Sequence, residues 1–71
     1  MEYIRVKVND REEEKIPVLV NGEENGFTCD VMQLEEGFVE ISVKLKGAET
    51  KEIELVDTTA DHPKEVLIHV A

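Results

Sequence analysis

Aromatic residues are scarce. Tyr3, Phe27 and Phe38 are the whole set, and tryptophan is absent. So few rings argue against a roomy ligand pocket, which is normally lined by apolar and aromatic side chains. Cysteine is limited to Cys29, so no disulfide can close within the chain. One lone cysteine suits a reducing compartment, and a cytoplasmic rather than secreted location is expected. No apolar run nears the roughly 18 residues of a membrane-spanning helix. The opening stretch MEYIRVKVNDREEE alternates and is charged, with no apolar core of a signal peptide. Membrane insertion is therefore not expected.

Cations are also few. Eight Lys and Arg stand against 17 Asp and Glu, a net charge of −9. Acids gather at Glu12-Glu13-Glu14, Glu23-Glu24 and Glu35-Glu36. Such a surface repels phosphate backbones and anionic headgroups, which argues against nucleic-acid and membrane partners. It is either a solvated surface or an acidic face for a basic partner. With 71 residues, one domain spanning 1–71 is expected, near the lower limit for a self-supporting core. Small scaffolds often gain burial from a partner subunit, so self-association, including a homodimer, stays open.

What the sequence does have is a period of two. In EYIRVKV, Ile4, Val6 and Val8 alternate with Tyr3, Arg5 and Lys7, the pattern of a half-buried strand. Ile16, Val18 and Val20 form a second set, with Pro17 placed for an edge or a bulge. The run FTCDVMQL predicts a third strand with Phe27, Cys29 and Val31 inward and Thr28, Asp30 and Met32 outward. FVEISVKLK predicts a fourth, burying Val39, Ile41, Val43 and Leu45. TKEIELVD and KEVLIHVA supply two more, burying Ile53 and Leu55, then Val66, Ile68 and Val70. No window reads as an amphipathic helix. The prediction is an all-β fold, a small single-domain antiparallel β-sandwich of about six strands.

The stretch VLVNGEENGFT carries two Asn-Gly pairs between apolar runs. A phosphate-binding glycine loop needs a helix behind it, and here a strand pattern comes next. Asn-Gly is instead a strong hairpin signal, because both residues tolerate positive φ. Residues 21–26 thus predict a tight β connection, with Gly26 allowing a bulge before Phe27.

The order of these signals resembles the PEGA-type β domain. The matching residues are Val18, Val20, Asn21, Gly22, Gly26 and Thr28, then Leu34 and Gly37, then Val39, Ile41 and Val43. The family usually has proline after the threonine, where Cys29 stands, and a glycine-aromatic pair where Gly47-Ala48 stands. The resemblance implies a sandwich of the transthyretin-like or carboxypeptidase-regulatory-like kind. It implies a non-catalytic binding or structural role.

Catalytic chemistry finds little support. Cys29 reads as an inward, inert thiol without a base beside it. His62 and His69 are seven apart and across Pro63, and no HExxH or CxxC spacing occurs. No enzyme and no cofactor are expected. Asp57, Asp61 and His62, with the hydroxyls of Thr58 and Thr59, could ligate a cation such as calcium. The competing reading is a turn held by side-chain-to-backbone bonds. A less bland feature is the set of large apolar residues at outward positions: Tyr3, Leu19, Met32, Phe38 and Leu67. On neighbouring strands they would form an association patch. Tyr3, Leu19, Phe38 and Leu67 are the expected contacts of a protein-interaction or accessory module, which could also offer a sheet edge. A small-ligand carrier, or a metal-binding protein using residues 57–62, are the alternatives.

Overall fold

The computed structural model describes residues 1–11 and 13–71; Glu12, in the first acidic run, lies outside them. The described residues form seven strands: β1 (Glu2–Val8), β2 (Pro17–Val20), β3 (Glu23–Phe27), β4 (Val31–Leu34), β5 (Gly37–Val43), β6 (Lys51–Leu55) and β7 (Lys64–Ile68). They make two sheets, a three-stranded one in the order β4-β1-β7 and a four-stranded one in the order β3-β2-β5-β6. Every pairing is antiparallel except β1 with β7, which is parallel. The all-β two-sheet expectation holds, with one strand more than expected and that one parallel pair.

The core lies between the sheets. The three-stranded sheet contributes Ile4, Val6, Val8, Met32, Leu34, Val66 and Ile68; the four-stranded sheet contributes Val18, Ile41, Val43 and Leu55. Ile16 joins them from just ahead of β2. β-branched residues dominate because they fill a pleated inner face well. Each fully buried side chain of this kind contributes about 1.5–3 kcal/mol, set against the entropy of ordering it.

Two turns decide the path. Asn21 and Gly22 both adopt positive φ, 52° and 86°, which fits a two-residue hairpin turn between β2 and β3. The connection is thus shorter than residues 21–26, because the chain resumes a strand at Glu23. The second Asn-Gly pair sits inside β3. There Pro17 pairs with Phe27 and Leu19 with Glu24, so three steps on β3 face two on β2. Gly26, at φ 74°, takes the expected bulge.

The third predicted strand is not one strand. A turn at Thr28-Cys29-Asp30, with Cys29 at φ 72°, carries the chain from the edge of one sheet to the edge of the other. The pairs Phe27-Thr28 before it and Val31-Met32 after it keep one parity, the reverse of the expected one, because the bulge at Asn25-Gly26 has already shifted the chain by one residue. Phe27 and Val31 are therefore exposed, whereas Thr28 and Met32 are buried. Cys29 is only half-buried, and its amide donates to the Val6 carbonyl. The expectation that Phe27, Cys29 and Val31 point inward, and Thr28 and Met32 outward, is overturned by that one-residue shift together with this turn.

Candidate interaction surface

Register assigns the remaining outward side chains to two separate faces. On the three-stranded sheet, Tyr3 lies opposite Gln33, Arg5 between Val31 and Glu65, and Lys7 opposite Leu67. Tyr3 is half-buried, and its hydroxyl accepts a bond from Gln33 Nε2 at 3.2 Å. Leu67 and Val31 are about two-fifths exposed. Arg5 donates to Glu65 at 3.4 Å across the parallel pair.

On the four-stranded sheet, Leu19 sits between Glu24 and Ser42, and Phe38 lies opposite Glu54. Leu19 is half-buried, while Phe38 is 69% exposed. Phe27 and Val56 are also exposed, at opposite ends of the sheet. The core separates the two outer faces. The four expected contacts therefore do not form one patch: Tyr3 and Leu67 lie on one face, Leu19 and Phe38 on the other. Met32 drops out because it is 7% exposed. The alternation rule found Phe38 and Leu67, which lie in clean strands. It missed Phe27 and Val31 because the bulge ahead of them shifts the alternation by one residue. Val56 was legible as the residue after inward Leu55.

The two faces differ in charge. The three-stranded face presents Arg5, Lys7 and Glu65. The four-stranded face presents Glu24, Glu40, Glu52 and Glu54, with Lys44 as the cation, and Lys44 is bonded to Glu24 at 2.9 Å. Glu40 lies directly opposite Glu52 across β5 and β6. Like charges in that position are about 4.5–5.5 Å apart at Cβ and destabilise the pair. No cation bridges Glu40, Glu52 or Glu54 among the described residues.

The loop from Val56 to Pro63 is held by its own hydroxyls. Thr58 donates its amide, at 2.9 Å, and its hydroxyl, at 2.7 Å, to the Glu2 carboxylate. Its oxygen accepts the Tyr3 amide at 2.6 Å. These bonds hold the Glu2 carboxyl below the usual range, the Thr58 hydroxyl being the main cause. Thr59 accepts the His62 amide at 3.0 Å. Asp57, Asp61 and His62 are exposed, and no group of three or more potential metal ligands converges among the described residues. A second clasp joins the β5–β6 connection to the end of β7. The His69 amide and Nδ1 meet Glu49 Oε2 at 2.7 and 2.8 Å, and the amide bond chiefly lowers the Glu49 carboxyl. A depression of about 420 Å³ is lined by Asp10, Arg11, Glu13 and Glu14, charged rather than apolar residues.

No family model, no curated protein and no solved structure matches the chain.

Proposed function

We propose that the chain is a non-enzymatic protein-interaction or accessory module that works through the outer face of its four-stranded sheet. The observation that carries this reading is Phe38, a large aromatic side chain 69% exposed within a regular pairing between β5 and β6. Aromatic side chains left in water on a flat sheet are the common anchors of protein interfaces. The resemblance to PEGA-type sandwiches supports the same role. Leu19 belongs to this face. Tyr3 and Leu67 form a second, smaller contact site on the opposite sheet.

The test is a substitution that spares the fold. Phe38→Asp adds charge at an exposed position, so the melting temperature should stay within a few degrees of the parent. Light scattering on a sizing column, across a concentration series, then reads association. Capture on an immobilised parent domain, with the variant as control, reads other proteins. The reading predicts that an association seen with the parent weakens in the variant. Association by either readout that is unchanged in Phe38→Asp would sink it.

A further inference from the structure

The charge pattern around Phe38 specifies a partner, on the premise that the outer face of the four-stranded sheet is a docking surface. Glu40 and Glu52 stand opposite each other, and Glu54 lies diagonally from Glu40 and opposite Phe38. All three carboxylates are exposed. The other outer face does not share this composition, because Arg5 and Lys7 outnumber Glu65 there. Val56 lies two residues beyond Glu54 and is 43% exposed. Phe38 and the three carboxylates therefore lie side by side on the sheet, with Val56 just past its end.

We propose that this face docks an extended, arginine-bearing segment of another protein. A guanidinium is planar and presents a fork of donors that one carboxylate can accept in pairs. Placed between Glu40 and Glu52, it replaces a repulsion with two attractions. The Phe38 ring offers a face on which the same or a neighbouring guanidinium stacks. An apolar side chain of the segment covers Val56. A compact ammonium satisfies the carboxylates but stacks less well, so arginine is preferred over lysine. A second copy of this chain is a poorer occupant, since each copy carries a net charge of −9.

The probe is a short labelled peptide alternating arginine and valine, titrated into the ¹⁵N-labelled protein at physiological salt. Amide shifts are mapped and affinity is read by anisotropy. The shifts should fall on β5 and β6, and a lysine–valine peptide should bind more weakly. The double variant E40Q/E52Q should lose about fivefold or more in affinity. Its melting temperature should hold or rise, since a like-charge pair is gone. The control E13Q/E35Q removes the same charge from exposed loop positions and should change affinity less than about twofold. Equal losses in both variants would mean bulk charge attraction and overturn the proposal. So would the absence of saturable binding, or shifts on β5 and β6 that grow with protein concentration alone, which would assign the face to a second copy. Shifts centred on Tyr3 and Leu67 would overturn this partner assignment yet leave the interaction module intact. Loss of the interaction reading itself is seen separately, in the Phe38→Asp comparison.

Discussion

Thr28 ties the turn after β3 to the stretch just ahead of β2 through three bonds. It is 1% exposed. Its hydroxyl accepts the Ile16 amide at 3.0 Å and donates to the Glu14 carbonyl at 2.7 Å. Its own amide donates to the Ile16 carbonyl at 2.9 Å. Nothing in the alternation of FTCDVMQL distinguishes Thr28 from an outward threonine. Only its bonds, made to a segment 12 and 14 residues away, reveal the role. Thr28→Val keeps the shape and removes both side-chain bonds. It should cost about 1–3 kcal/mol by urea unfolding, because buried polar groups lose their partner. Thr28→Ser keeps the hydroxyl and should recover most of that loss. A near-neutral valine beside a destabilising serine would show that packing of the methyl group matters, not the bonds.

At the scale of elements, the decisive feature is how β3 passes into β4. Gly26 sits in the bulge, and a Cβ built there would lie 2.5 Å from Met32 Sδ. The bulge on one sheet is thereby packed against a core methionine of the other. Gly26→Ala should cost about 1–2 kcal/mol from the positive φ alone. The sulfur contact adds a part that a smaller residue 32 relieves. Thermal melts of Gly26→Ala with and without Met32→Ala should show positive coupling, the double variant being more stable than the sum of the singles. Strict additivity would mean that Met32 simply moves aside. The bulge itself was legible in the sequence, since Asn25-Gly26 is a local signal. So were β1, β2, β5, β6 and β7, each with a clear period of two. The sheet switch was not, because the left-handed turn at Cys29 moves the chain to the other sheet inside one apparently continuous alternation, after the bulge at Gly26 has already reversed which side chains point outward. The parallel partnership of β1 and β7 was not legible either. It joins residues about 60 apart, and local pattern holds no record of it. The division of Tyr3 and Leu67 from Leu19 and Phe38 stems from that pairing order, so the interaction surface was found residue by residue but misassembled.

For the whole molecule, two carboxylates fasten connections to strands. Glu2 holds the β6–β7 connection at Thr58, and Glu49 holds the end of β7 at His69. Both carboxyls lie below their ordinary range in the folded chain because they accept these bonds. That direction sets the sign of the pH dependence. A carboxyl with a depressed folded pKa contributes stability that is fully present above its unfolded value, about 4.3 for glutamate. That stability is lost as pH falls through the lower folded value. Removing the charge by substitution should therefore matter at neutral pH and cease to matter in acid. Melting temperatures of the parent and of the double variant E2Q/E49Q, measured from pH 7 down to about pH 2, should differ at the top of the range. The two curves should begin to converge as pH falls below the unfolded value of about 4.3 and meet once it has passed the lower folded values, where the parent's own carboxyls take up protons. A gap that persists unchanged at the acid end would mean that the clasps act by shape and not by ionisation. A gap that widens in acid would reverse the sign argued here. Because the two clasps sit at the ends of β1 and β7, the acid loss should start there, and amide exchange should rise at Tyr3, Thr58 and His69 before it rises in β5.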